Sequence, residues 1–248
     1  MDLALSGKVA VVTGAGRGIG AEIAAAFARE GAFVAVFDKL PSEAQAMAAR
    51  ISATGGRALA VTVDVTDSAS VEAAIHRTCE ELGGMHVMVC NAGITQDQVV
   101  WKMTDEQWRR VLDVNLTGCF YCNRGAARIF KDQKYGKLIN ITSINGLRGK
   151  FGQSNYAASK GGIVALTKTL ARELGKFNVN VNAVAPGMVM TEMMAQVPPE
   201  FQAAALAETL LGRFALPADV ADLVLFLASD RARHLTGEII KIDGGQYT

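Results

Sequence analysis

Tyr156 and Lys160 stand four positions apart, a spacing that sets two side chains on one face of a helix. A free phenol titrates at about 10, roughly three units too high to trade a proton readily at neutral pH. A nearby ammonium stabilises the phenolate, so this pair has the makings of a general acid–base. Taken alone, it reads equally as a tyrosine at a helix start beside a solvated lysine. Two further residues narrow the choice. Ser143 closes the run 137–142, thirteen residues before Tyr156, where its hydroxyl can hold a carbonyl against the phenol. Asn115 is a poor helix former in an apolar helical setting. Once buried it needs partners, and a water chain to Lys160 would supply them.

Near the start of the chain, an apolar β-branched run leads into Thr13-Gly-Ala-Gly-Arg-Gly-Ile-Gly20 and then into an alanine-rich helix. Gly14 permits a tight turn, Gly18 lets the backbone approach a pyrophosphate, and Gly20 lets helix and strand pack closely. The backbone N–H groups here, with Arg17 and Ile19 in the turn, sit at a positive helix end that attracts phosphates. Asp38 ends the second run, 18 residues after Gly20. A carboxylate there can accept both ribose hydroxyls of an adenosine and repels a 2′-phosphate, which favours NAD over NADP. Arg17 and Lys39 argue the other way, since either could pair with a phosphate. Asp38 could also cap the helix that starts near Pro41. Asp64 and Val65 follow the third run, and Asn91, Ala92 and Gly93 follow the fourth, where an open sheet shows its carboxyl edge to a ligand.

These residues need a scaffold, and the hydrophobic pattern provides one. Strands are expected over 8–13, 33–37, 58–63, 87–90, 138–142, 179–185 and 239–242. Most are continuous apolar runs, as in a parallel sheet covered on both faces. Helices are expected between them over 19–30, 44–53, 69–82, 106–130, 156–174 and 218–227. The reading is an α/β fold: a doubly wound (Rossmann) parallel sheet of about seven strands, one domain over residues 1–248. Residues 188–211 break the rhythm and suggest a substrate lid, or an ordinary packed helix pair.

Composition bounds the partners. Half of the 248 residues are apolar, a fifth are charged, and a net charge of +1 gives no case for nucleic acid or an anionic membrane. There is no secretory leader pattern and no run long enough to span a bilayer. Cys79, Cys90, Cys119 and Cys122 form no disulfide framework, and Cys119-x-x-Cys122 lies in a helical pattern without a second ligand pair. His76, His86 and His234 carry no ligand spacing, so no metal is expected. A reducing cytoplasm fits.

The ordered set of Thr13 to Gly20, Asp64, Asn91-Ala-Gly93, Asn115, Ser143, Tyr156, Lys160, Pro186-Gly187 and Asp243-Gly-Gly245 resembles the short-chain dehydrogenase/reductase family from Gly7 to the C-terminus. The resemblance implies a catalytic tetrad of Asn115, Ser143, Tyr156 and Lys160, with Lys160 also on the nicotinamide ribose. It implies that residues 186–191 wrap the nicotinamide, with Val189 and Thr191 at its carboxamide. It also implies a homotetramer packed through helices 106–130 and 156–174. Cys90 departs from the pattern, where the family usually has Asn; this loosens a backbone support and removes no reacting group.

Within the family, Gly93-Ile-Thr-Gln-Asp97, Gly152-Gln-Ser-Asn-Tyr156 and Leu170-Ala-Arg-Glu-Leu174 are similar to 3-oxoacyl-[acyl-carrier-protein] reductases. Arg172, with Lys134 near a second position, matches a basic site those enzymes use to dock an acidic carrier; an ion pair with a nearby Glu is the alternative for Arg172. Those enzymes typically take NADPH, and Asp38 disagrees. An NAD-dependent enzyme acting on a 3-hydroxyacyl or 3-oxoacyl thioester reconciles the two, with a small or cyclic secondary alcohol as the other reading. A non-catalytic NAD(H) sensor is the rival class, but it would have no need of an intact Ser–Tyr–Lys set. Candidate substrate contacts are Ser143, Asn145, Gln153, Met188 and Met193. Met190, Met194, Val197 and Phe201 would add a soft lid wall. Arg148 and Lys150 would either meet an anionic substrate group or stay solvated.

Overall fold

The computed structural model describes residues 2–195 and 199–248, with the side chains of Met193, Ala195 and Phe201 left out. The order of elements is β1 (Val9–Thr13), α1 (Gly18–Arg29), β2 (Phe33–Asp38), α2 (Pro41–Ala53), β3 (Arg57–Thr62), α3 (Ser68–Leu82) and β4 (Val87–Cys90). Next come α4 (Asp105–Leu112), α5 (Gly118–Gln133), β5 (Gly136–Ile141), α6 (Asn145–Arg148), α7 (Ser154–Leu174) and β6 (Val179–Pro186). The chain closes with α8 (Glu192–Ala195), α9 (Pro199–Ala207), α10 (Pro217–Ala228) and β7 (Ile239–Ile242).

All seven strands are parallel, in the order β3-β2-β1-β4-β5-β6-β7. Successive side chains of a strand leave opposite faces, so β1 feeds two cores at once. Ala10 and Val12 pack with Ile23 and Phe27 of α1, Met47 of α2 and Val224 and Leu227 of α10. Val11 packs on the other face with Ile75 of α3, Phe130 of α5 and Ile163 and Leu174 of α7. The doubly wound sheet read from the sequence is the one observed. Its strand order reverses between β1 and β4, and the crevice of such a sheet opens above that point, at the carboxyl ends of the strands.

One element departs from expectation. The single helix expected over 106–130 is two helices, α4 and α5, joined by one π-helical turn over Asp113–Thr117, where the N–H of Gly118 donates to the carbonyl of Asp113. Such bulges re-aim a side chain and cluster at functional sites. Here the turn holds Asn115. Elsewhere the boundaries move by one to three residues; α7, for instance, starts at Ser154 and not at 156. Residues 188–211 contain α8 and α9, while Val197 and the side chains of Met193 and Phe201 fall outside the described residues. Among the described residues no helix is long and apolar enough to cross a membrane.

Candidate active site

The floor of the crevice is a stitch between β1 and β4. Thr13 Oγ1 accepts hydrogen bonds from the N–H groups of Asn91 and Ala92, both at 3.0 Å. Asn91 Nδ2 donates to the carbonyls of Thr13 and Gly14 at 3.0 and 3.1 Å. Thr13 had drawn no role from the sequence, yet it and Asn91 fix the spacing of the two strands where the glycine loop begins. Gly14 has φ +61°, and a Cβ there would lie 2.9 Å from Ala92 Cα. That position therefore excludes other residues on both counts. A Cβ on Gly20 would sit 2.2 Å from the Gly14 carbonyl oxygen, so the helix is seated directly on the turn.

Arg17 is the exposed N-cap of α1 and its side chain makes no cap bond. The first-turn N–H groups of α1 are thus left for an anion. Across the crevice, Thr191 Cγ2 comes within 3.8 Å of where a Gly18 Cβ would be. Pro186 ends β6, and Gly187 is held by its N–H bond to Ile242. Met188 and Met190 exchange backbone bonds with Ala215, which holds the segment as a short extended strand with Val189 buried and Met188 half-buried. Segments 14–20 and 186–191 thus flank one cleft, as a dinucleotide would require.

At the end of β2, Asp38 Oδ2 accepts from the N–H of Gly16 at 2.9 Å and Oδ1 from the N–H of Leu40 at 3.0 Å. A Cβ on Gly16 would meet Glu43 Cβ at 2.5 Å and Asp38 Oδ2 at 2.9 Å, so Gly16 belongs to this site although the sequence reading passed over it. Lys39 pairs with Asp64 at 2.7 Å. Burial pushes the Asp64 carboxyl up, but bonds from Lys39 and Thr66 outweigh it and hold the group below its ordinary value. Its neighbour Val65 packs against Gly118, at the start of α5. The chemistry of this set fits a dinucleotide: backbone donors for phosphates, a fixed carboxylate for ribose, and small residues at 92 and 93.

The proton-transfer set lies over β4 and β5. The Ser143 hydroxyl draws the Tyr156 phenol toward a lower pKa, and the N–H of Asn145 donates to Ser143 Oγ at 3.1 Å. Lys160 is buried, with Nζ 2.8 Å from the Ile141 carbonyl and 5.6 Å from the centre of the Tyr156 ring. Thr142 Oγ1 bonds the Lys160 carbonyl at 2.7 Å, and a Cβ on Gly146 would lie 2.6 Å from the Lys160 carbonyl carbon. Those two contacts pin α7 at the lysine. Asn155, fully buried, donates to the carbonyls of Gln96 and Gln107 and accepts from the N–H of Tyr156 at 2.7 Å. It anchors the first turn of α7, a role its sequence context did not reveal.

Two expectations change. Asn115 is satisfied without a water chain: Oδ1 accepts from the Ile94 N–H at 2.8 Å, and Nδ2 donates to the Ile94 carbonyl and to Ser159 Oγ. It clamps the loop after β4, and its Oδ1 and Lys160 Nζ both lie against Gly93. The Tyr156 phenol is not lowered by its lysine in this structure. Burial pushes it above its ordinary value, the bond to Ser143 pulls it back, and the Asp97 carboxylate pushes it further up. Burial also lowers Lys160 to about 8, against an opposing pull from the Cys119 and Cys90 thiols. Desolvation dominates both groups.

Asn145 and Gln153 are bonded to one another at 3.0 Å, and Gln153 also donates to Asp97 Oδ2 at 2.8 Å. Arg148 is held by Glu208 at 3.0 Å and by the Gln246 carbonyl. Cys90 keeps its place in β4 opposite Asn140, and Asn123 Nδ2 points at its sulfur. Cys90, Cys119 and Cys122 are free, buried thiols.

Comparison with known proteins identifies relatives of this chain. The family model described as enoyl-(acyl carrier protein) reductase matches residues 14–247. A 3-oxoacyl-[acyl-carrier-protein] reductase of Staphylococcus aureus (strain Mu50) is 40% identical over 241 residues, 97% of this chain and 98% of the relative. Its counterpart in Synechocystis sp. is 41% identical over 244 residues, 98% of each chain. A crystal structure of a 3-oxoacyl-[acyl-carrier protein] reductase from Brucella melitensis superposes with TM-score 0.94 at 35% identity, covering 99% of this chain and 93% of that one. A short-chain type dehydrogenase/reductase from Mycobacterium marinum gives TM-score 0.94 at 38% identity, over 99% and 97% of the chains.

Proposed function

The chain belongs to the short-chain dehydrogenase/reductase family and is an oxidoreductase of CH–OH and ketone groups; on that premise we propose that it interconverts 3-oxoacyl and 3-hydroxyacyl thioesters with NAD(H). The observation that carries the cofactor half is the Asp38 carboxylate, fixed by the Gly16 and Leu40 N–H groups at the end of β2. Held there, it accepts ribose hydroxyls and repels a 2′-phosphate. Lys39, which could have neutralised a phosphate, is committed to Asp64. Arg17 stays exposed as the one cation on the loop. The thioester half is supported by the relatives, whose names specify 3-oxoacyl substrates on an acyl carrier protein.

The nicotinamide ring, when bound, supplies or accepts the hydride. The protein's own residues then manage the proton and the geometry. Ser143 donates to the substrate carbonyl and holds it beside the Tyr156 hydroxyl. Tyr156 gives its proton to the forming alkoxide in reduction and takes it back in oxidation. Lys160, fastened through Ile141, lies 5.6 Å from the centre of the Tyr156 ring and would bond the ribose of the cofactor. Asn115 sets the loop that carries Ala92 and Gly93, small residues that would let a flat cofactor approach. Met188 and Met190, held against Ala215, would border the substrate.

Arg172 is exposed and pairs with no acid among the described residues. With Lys134 at the end of α5 it offers a landing for an acidic carrier, and α4, α5 and α7 supply the faces of a homotetramer.

Initial rates of acetoacetyl-CoA reduction, with NADH and NADPH compared at equal concentration and a cyclic ketone run in parallel, test this directly. The expected result is thioester turnover with NADH ahead by roughly tenfold, about 1.4 kcal/mol, and a narrower gap in Asp38→Ala. A NADPH preference would overturn the cofactor assignment, and turnover of the cyclic ketone alone would overturn the substrate assignment.

A further inference from the structure

We propose that Asp97 is a positioning residue for the Ser143–Tyr156 pair and sets the pH range over which Tyr156 exchanges its proton. The loop after β4 is zipped to the loop before α7: the N–H of Gln98 donates to the Gly152 carbonyl at 2.8 Å, and Gln98 and Gln153 form a parallel bridge. Within that clasp lies a continuous chain of polar contacts. Asp97 Oδ2 takes the Gln153 amide at 2.8 Å, Gln153 Oε1 takes the Asn145 amide at 3.0 Å, and the Asn145 N–H reaches Ser143 Oγ at 3.1 Å. Gln153 is buried, so its amide is held to these two partners, while Asp97 itself faces solvent at the mouth. The carboxylate therefore stands at the exposed end of a relay that terminates on Ser143 Oγ.

The charged and titratable groups around the phenol come from four elements and one loop. Lys160 lies on α7 itself, with its ammonium turned to Ile141. Arg148, on α6, is committed to Glu208. The Cys90 thiol of β4 and the Cys119 thiol of α5 act on Lys160. Asp97, on the loop after β4, is the group whose negative charge acts on the phenol, and it acts in the same sense as burial. A negative charge at this position keeps the phenol protonated to higher pH, so the enzyme retains its acid form for ketone reduction.

The test is the pH dependence of kcat/KM in both directions, on any substrate the enzyme turns over, for wild type, Asp97→Asn and Asp97→Glu. Because it needs no particular substrate, its outcome is independent of the thioester assignment. In Asp97→Asn the Tyr156 limb should move to lower pH by roughly half a unit, with the gap shrinking in high salt. Asp97→Glu should restore most of it. A limb that stays in place in Asp97→Asn, or one that moves equally in both variants, would overturn the proposal, as would a drop in rate with unmoved limbs.

Discussion

At the level of single residues, the site is governed by burial more than by pairing. Tyr156 and Lys160 are both desolvated, and each is displaced toward its neutral form. The folded protein therefore carries a charged lysine at a cost below a pH of about 8. That cost is relieved as pH rises through this value, and the relief is complete near the unfolded value of about 10.5. Lys160→Met removes the penalty but orphans the Ile141 carbonyl. Urea unfolding should thus show the variant gaining on wild type most at pH 7, with its relative advantage falling by about 3 kcal/mol by pH 10. Turnover should be lost at both. A stability difference independent of pH would mean that Lys160 is not displaced.

At the level of elements, the placing of the chemistry depends on short polar anchors. Asn155→Ala deletes three bonds and leaves the Gln96 and Gln107 carbonyls without a side-chain donor. It should cost about 2–4 kcal/mol in denaturant unfolding, with kcat falling as the first turn of α7 loosens; a cost below about 0.5 kcal/mol would contradict that role. Gly16→Val should expel Asp38 and Glu43 from their places and abolish cofactor binding in a fluorescence titration, without unfolding the chain. These anchors also show what could be read in advance. Parallel strands buried on both faces leave a continuous apolar run, and β1, β2 and β4 were legible for that reason. The glycine spacing and the four-residue interval of Tyr156 and Lys160 are local and were equally plain. The π turn at Asn115 was not, because it is imposed by the Ile94 backbone 21 residues away. Thr13, Asn155 and Gly146 stayed silent for the same reason: each is defined by a partner distant in sequence that no local pattern records.

At the level of the whole molecule, the reversal of strand order between β1 and β4 opens the crevice, and the Thr13–Asn91 stitch holds it to one width. From there the chain leaving the end of β5 carries Ser143 and α7 carries Tyr156 and Lys160, and Arg148 ties α6 to the segment after α9 through Glu208. Trp108 and Phe120 stay exposed on α4 and α5 of the isolated chain. Sedimentation should give a tetramer, with Phe120→Glu shifting it to smaller species; a wild-type monomer would contradict the assembly. The central claim is that Tyr156 carries the proton while the glycine loop and Asp38 hold the nicotinamide nucleotide. It is tested most directly by following NADH-linked reduction of acetoacetyl-CoA in wild type and Tyr156→Phe, with NADH affinity measured in both. The account predicts a loss of kcat of roughly 100- to 10,000-fold in the variant with NADH affinity unchanged, and a variant that turns over at the wild-type rate would contradict it.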